Sequence, residues 1–136
     1  MDAQALANEA AMMLLAGSET SANALTWTTY LLAAHHPTLR TLMEEYARLS
    51  PGRMPTYEEL SEMMVTRAVI QESLRLYPPV AILARQALAE DSLRAHKVGP
   101  GAMVMAVPWL LHRHADWWHA PHAFLPERFF PENAQR

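Results

Sequence analysis

The residues best suited to acid–base chemistry lie together in the segment AGSETS, residues 16–21. Glu19 supplies a carboxylate, Thr20 and Ser21 supply hydroxyl groups, and Gly17 leaves the backbone open to close approach by a bulky group. A carboxylate beside a hydroxyl can deliver a proton to a bound substrate. The same residues can also form a solvated polar patch, since Ser and Thr often bond back to a helix carbonyl. The segment by itself leaves both interpretations open.

A second group combines one acid with two arginines. Glu72 and Arg75 are spaced i, i+3, so they lie on one face of a helix, where a surface pair contributes a few tenths of a kcal/mol. Arg128, in the segment FLPERF, could bring a second guanidinium to Glu72.

Four histidines crowd into a short segment near the end of the chain: His112, His114, His119 and His122. The chain has no cysteine, so a metal here would need imidazole and carboxylate ligands only. The spacing fits no standard metal site, and Pro121 restricts how two of the histidines converge. We predict no metal ligand set in this chain and keep a histidine site as an alternative.

The composition excludes several classes of function. The 136 residues carry a formal net charge of -3 and fit a single globular domain. Because 11 basic residues face 14 acidic ones without forming a stripe, we expect no nucleic-acid partner. The longest apolar run, residues 10–16, is too short to cross a membrane, and the first residues lack the basic start of a signal peptide. We therefore expect a cytoplasmic protein.

Residues 1–35 predict one long helix, which ends because Pro37 disfavours helix in the residue before it. About 33 residues give a length of about 50 Å. A compact chain of this size is only about 35 to 40 Å across. The helix is therefore longer than the body that should bury it, and we expect its packing partners to lie outside this chain.

The remaining residues predict, in order, a helix, a short helix followed by a longer one, short strands, and a segment rich in proline and aromatic side chains: 37–50, 57–77, 80–107 and 108–136. Thr56 and Glu59 form a capping box that opens the short helix. The predicted fold class is mainly α with a small β portion, an α+β fold, in one partial domain over residues 1–136.

Four motifs follow one another along the chain: AGSETS, ESLRLYPPV, ARQALAEDSL and LHRHADWWHAPHAFLPERF. In this order they resemble the cytochrome P450 superfamily of haem-thiolate monooxygenases. The first is similar to the oxygen-activating helix motif, the second to the E-x-x-R helix, and the third to a strand whose arginine meets a haem propionate. The fourth matches H-R-x-x-x-x-W-x-x-P-x-x-F-x-P-E-R-F at every fixed position.

The resemblance implies a role for each matching residue. Ala16 and Gly17 would let the long helix pass close to a haem b cofactor, and Glu19 and Thr20 would guide protons during oxygen activation. Arg85 would bind a haem propionate through charge-assisted hydrogen bonds.

Other matching residues would be structural. Glu72, Arg75 and Arg128 would form a buried ion-pair triad, in which an unpaired member would be costly. The resemblance also makes three residues of the histidine-rich segment framework residues: His112, Arg113 and Trp118.

A complete member of the family would insert one oxygen atom of dioxygen into a small organic substrate, with electrons from a ferredoxin or a flavin reductase. Its iron is held by a cysteine thiolate beyond the P-E-R-F segment. Because this chain has no cysteine, we expect a fragment of the C-terminal half that is inactive and binds no haem alone.

Two other interpretations stay open. The chain could be half of a split enzyme that another chain completes, or a non-enzymatic helical interaction module using the exposed face of its first helix. Residues 80–83, after the two prolines, are the visible candidates for a substrate pocket wall.

Overall fold

The chain is described by a computed structural model over residues 2–133. Its elements are, in order, α1 (Ala3–Ala34), α2 (His36–Leu49), α3 (Tyr57–Glu62), α4 (Met64–Leu76), β1 (Leu83–Gln86), β2 (Asp91–Leu93), β3 (His96–Val98), β4 (Met103–Ala106), α5 (Pro108–Leu111) and the 3-10 helix η1 (Pro126–Phe129). The predicted fold class, mainly helical with small antiparallel sheets, is confirmed. The elements form two compact units. The first contains α1 to α4 and η1, and the second is Val80–Pro121.

Helix α1 is continuous and mostly exposed. It begins where the Asp2 carboxylate accepts a hydrogen bond from the Ala5 backbone N–H at 2.7 Å, and it ends just before His35. Among the described residues of α1 only Leu31 is buried, while Met13 and Leu14 are each 73% exposed. Within its unit, α1 therefore packs through a small part of its surface. No helix in residues 2–133 has both the length and the apolar character needed to cross a membrane.

The connection from α2 to α3 is fixed by one carboxylate. Glu59 accepts hydrogen bonds from the Thr56 backbone N–H at 2.8 Å and from the buried Ser50 hydroxyl at 3.0 Å. Arg53 donates to the same carboxylate at 2.8 Å. The predicted capping box of Thr56 and Glu59 is confirmed. We refer to this connection as the α2–α3 corner.

Helix α4 is the most buried element of the first unit. Its inward face combines apolar and polar side chains: Ala68, Val69, Glu72, Ser73, Arg75 and Leu76. Directly after it, the Tyr77 ring stacks on Trp27 of α1 with 3.9 Å between the ring centroids. The core of this unit is therefore small, and charged side chains form part of it.

The second unit contains two short antiparallel pairs. Strand β1 pairs with β4, with Arg85 opposite Val104, and β2 pairs with β3. The segment GPG, residues 99–101, lies between β3 and β4, where Gly101 has a φ of +80° that favours glycine. After α5, the Trp118 indole N–H donates to the Leu111 carbonyl at 3.1 Å.

Acid should weaken the α2–α3 corner. The Arg53 guanidinium, together with the Thr56 backbone N–H, lowers the pKa of Glu59 from 4.5 to about 2. Because the folded state has the lower pKa, the stabilisation is complete above the unfolded pKa and is lost as pH falls toward about 2. Urea unfolding at a series of acidic pH values should therefore show a steeper loss of stability in the wild type than in Glu59→Gln.

The matched control is Glu58→Gln, which makes the same change on an exposed neighbour in the first turn of α3. This variant should keep the pH dependence of the wild type. Identical pH dependence in the wild type and in Glu59→Gln would show that the corner contributes nothing.

Candidate functional site

The structure places Glu72, Arg75 and Arg128 together in the first unit. The Arg75 guanidinium donates two hydrogen bonds to the Glu72 carboxylate, from Nε to Oε2 at 2.7 Å and from Nη2 to Oε1 at 2.8 Å. Arg128 donates from Nε to Oε1 at 3.1 Å. The Glu72 side chain is fully buried, and those of Arg75 and Arg128 are 2% and 14% exposed.

Two local features bring Arg128 to this carboxylate. Pro126 occupies the first turn of η1, where its fixed φ suits the start of a helical turn. The Leu125 backbone N–H, just before it, donates to Glu72 Oε1 at 2.9 Å, and Arg75 donates to the Ala123 carbonyl at 3.1 Å. The P-E-R-F segment is thus held to α4 by backbone and side-chain bonds at once.

This burial makes the group costly to disturb. A buried charge is tolerated only when ion pairing and hydrogen bonds replace its hydration. Both oxygens of Glu72 accept such bonds, and no buried side-chain nitrogen or oxygen in residues 2–133 lacks a partner. The three residues therefore act as one unit that joins α4 to η1.

The segment 16–21 lies in the middle of α1, with its polar groups largely open. The Thr20 hydroxyl donates to the Ala16 carbonyl at 2.8 Å, one turn earlier. Glu19 is exposed, and its carboxylate has no hydrogen-bond or salt-bridge partner within residues 2–133. At Gly17, an added Cβ would meet no atom within 4 Å.

Glu19 and Thr20 line a cleft of about 370 Å³ between α1 and the residues that follow α4. Its other lining residues are Met12, Leu15, Ala16, Asn23 and Pro79. The lining thus combines apolar side chains with the polar groups of Glu19, Thr20 and Asn23.

Arg85 belongs to the second unit. It lies on β1 with an exposed side chain, and its Nη1 donates to the Ala84 carbonyl at 2.8 Å. A guanidinium has five N–H donors, so this one bond leaves most of its capacity for an anionic ligand.

The histidine-rich segment is held by aromatic contacts. His112 packs edge-on against Trp118, and the Arg113 guanidinium lies over the Trp109 ring, 4.3 Å from its centroid. Within residues 2–133 there is no group of three or more side chains that could hold a metal ion. The alternative of a histidine-ligated metal therefore has no support from the structure.

Sequence reasoning missed two contacts that join helices of the first unit. Trp27 stacks on Tyr77, and the buried Glu45 of α2 binds the start of α4. Both join residues far apart in sequence, and neither belongs to a short motif. The one available signal for Trp27 was a large aromatic ring on a helix with few other rings.

Comparison with known proteins identifies the family. The sequence model of the family described as Cytochrome P450 matches residues 1–136. The chain belongs to the cytochrome P450 family. It is 41% identical over 118 residues to carotene epsilon-monooxygenase, chloroplastic, from Arabidopsis thaliana, across 86% of the chain and 22% of that protein.

Two Streptomyces melanosporofaciens proteins are also similar to this cytochrome P450 chain. Cyclooctat-9-en-7-ol 5-monooxygenase is 38% identical over 90% of the chain and 27% of its own length. Cyclooctatin synthase is 33% identical over 99% of the chain and 29% of its own length. The chain thus spans between a fifth and a third of the length of these relatives.

Removing the charge of Glu72 should destabilise this cytochrome P450 chain strongly. In Glu72→Gln the guanidiniums of Arg75 and Arg128 lose the carboxylate that compensates their charge. We expect a loss of about 3–5 kcal/mol in the free energy of unfolding, which is typical when one partner of a buried pair is removed. Urea unfolding followed by circular dichroism measures it.

The matched control is Glu127→Gln, an exposed acid in the same P-E-R-F segment. It should change the free energy of unfolding by less than about 0.5 kcal/mol. Similar losses in the two variants would contradict the role assigned to Glu72.

Proposed function

We propose that the chain is part of a haem-dependent monooxygenase domain that inserts one oxygen atom of dioxygen into an organic substrate. The observation that carries this proposal is the cleft on α1, where the Glu19 carboxylate and the Thr20 hydroxyl lie beside an apolar wall. The family match over residues 1–136 supports placing both units in one such domain.

The residues present fit part of a haem site. The open surface at Gly17 suits a flat ring lying against α1, and the exposed guanidinium of Arg85 suits a propionate. When bound, the haem supplies the iron that activates dioxygen. Its thiolate ligand must come from outside these residues, because they contain no cysteine. We propose that the chain alone neither holds haem b nor catalyses oxidation.

Glu19 and Thr20 are proposed to hold and pass the proton that the reaction consumes. Glu19 is exposed in the cleft, and its carboxylate has no partner within residues 2–133, so it stays open to water. The Thr20 hydroxyl already donates its hydrogen to Ala16, and its oxygen keeps lone pairs that can accept a bond. Thr20 is therefore suited to orient a water or oxygen ligand, and Glu19 to resupply the proton.

Glu72, Arg75 and Arg128 are proposed to have a structural role, since they are buried and bonded to one another rather than open to a ligand. They would support the region below the haem by keeping η1 against α4.

The substrate is proposed to be an apolar organic molecule. Met12, Leu15 and Pro79 give the cleft an apolar wall, and two relatives are named as monooxygenases of a carotene and of cyclooctat-9-en-7-ol. Electrons would come from a ferredoxin or a flavin reductase, as the family implies. The absence of a nucleic-acid partner and the cytoplasmic location stay predictions from the sequence.

A split enzyme is the second candidate function. A second chain would then supply the thiolate loop. A third candidate, a helical interaction module, is favoured by the exposed apolar side chains of α1, such as Met13 and Leu14.

Completing the chain should generate a haem-thiolate spectrum. In one arm the chain is expressed with its flanking coding sequence, and in the other arm it is expressed together with a separate chain that carries the cysteine loop. Each product is then reduced and exposed to carbon monoxide. We expect a difference band near the Soret region, and Gly17→Leu should abolish it because the side chain fills the space for the ring. In the 136-residue chain, Gly17→Leu should keep the helical circular dichroism.

The two expression experiments, the flanking-sequence arm and the co-expression arm, distinguish the two enzymatic candidates. A band in the flanking-sequence arm supports the proposed domain, and a band in co-expression alone supports the split enzyme. No band in either arm contradicts both. Binding of a protein partner that survives Gly17→Leu would instead favour the interaction module.

Removing the proton source should uncouple electron consumption from product formation. In the completed enzyme, Glu19→Gln should lower the rate of product formation by about 100-fold, in the range of a lost general acid. Reductant consumption should fall less than product formation. Measuring the product formed and the reductant consumed in the same assay gives the ratio of product to reductant.

Glu9→Gln is the control, because Glu9 is an exposed acid on the same helix that does not line the cleft. It should keep the wild-type ratio of product to reductant. An unchanged ratio in Glu19→Gln would remove Glu19 from the proton path.

A further inference from the structure

Helix α4 begins without a cap of its own. The first N–H groups of a helix have no partner within it and need an acceptor from elsewhere. The residue at the cap position is Met63, whose side chain makes no capping hydrogen bond. Because α3 ends at Glu62, there is also no loop between the two helices that could supply an acceptor.

Glu45 of α2, about twenty residues earlier in the sequence, supplies the missing acceptor. Its Oε1 accepts a hydrogen bond from the Val65 backbone N–H at 2.7 Å. Its Oε2 accepts two more, from the Thr66 backbone N–H at 2.9 Å and from the Thr66 hydroxyl at 2.8 Å. Both oxygens of one carboxylate are thus engaged by the first turn of α4.

The charge of Glu45 is compensated by this helix terminus. The residue is only 7% exposed, and it forms no salt bridge with a basic side chain of residues 2–133. Three short hydrogen bonds and the positive end of the α4 dipole take the place of a cation. A Gln at this position would keep one acceptor oxygen, but its NH2 group is a donor and cannot accept a bond from α4, and the compensating charge would be lost as well.

The opposite end of α4 is held by Glu72, which binds Arg128 and the Leu125 N–H of the P-E-R-F segment. Thr66 and Arg75 are nine residues apart, about 13 Å along the helix. A helix fixed at both ends cannot rotate or slide without breaking one set of bonds. Glu72 and Arg75 move together with α4, so where the helix begins decides how this pair meets Arg128 and the Ala123 carbonyl.

We propose that Glu45 is a positioning residue: as the tertiary cap of α4, it fixes the rotation and register of that helix and thereby the position of the Glu72–Arg75 pair against the P-E-R-F segment. The role is separate from proton transfer. This positioning role goes beyond the proposed monooxygenase function. Its test does not depend on haem, because the measurements are made on the 136-residue chain.

The test uses hydrogen exchange and the Arg75 Nε–H signal, both observed by NMR on the labelled chain. In Glu45→Gln the amide N–H groups of Val65 and Thr66 should exchange about ten- to a hundredfold faster, as expected for loss of a charged cap. The Arg75 Nε–H resonance should also shift, although it lies about 13 Å away, because the same guanidinium donates to the Ala123 carbonyl outside α4. Glu44→Gln, the exposed neighbour on α2, should change neither.

A matched pair at Thr66 keeps the test decisive if Glu45→Gln fails to fold. Thr66→Val keeps the shape and removes the hydroxyl donor to Glu45, whereas Thr66→Ser keeps the donor. The Arg75 signal should shift in Thr66→Val and stay near its wild-type position in Thr66→Ser. Equal signals in these two variants, or faster exchange at Val65 with an unmoved Arg75 signal, would overturn the positioning role.

Discussion

The rest of the first unit depends on the burial of the Glu72 carboxylate. It has no exposed surface, so its hydration must be replaced within the protein, and two arginines and one backbone N–H replace it. Satisfying this one group requires α4 to present Arg75 and requires the P-E-R-F segment to fold back across nearly fifty residues. The desolvation cost of the charge thus selects one arrangement of helix and loop, since other arrangements leave it unpaired.

Other carboxylates also fix contacts between helices of this unit, in which the apolar core is small. Five hydrophobic residues are buried among those described: Leu31, Met63, Ala68, Val69 and Leu76. Glu59 fixes the α2–α3 corner and Glu45 binds the start of α4. Such bonds are directional, so they specify how the helices meet more sharply than apolar contact does. The open apolar surface of α1 fits a chain that spans under a third of its relatives.

Much of the fold could be predicted from the sequence, because local signals define the helices. Pro37 lies in the first turn of α2, shortly after the end of α1, and Thr56 with Glu59 marks the start of α3. The spacing of Glu72 and Arg75 predicted a shared helix face, and the P-E-R-F motif pointed to Arg128. The i, i+3 spacing of Glu72 and Arg75 did not by itself indicate burial, however. The same spacing also occurs in surface pairs, which contribute almost nothing to stability.

The sequence by itself determined the family and the fold class, because these follow from motifs and local periodicity. Only the tertiary structure decided which backbone N–H joins the two arginines at Glu72, that Trp27 stacks on Tyr77 and that Glu45 caps α4. Each of these contacts joins residues distant along the chain. Their partners are chosen by the desolvation of charges and the packing of rings in three dimensions, which no short stretch of sequence encodes.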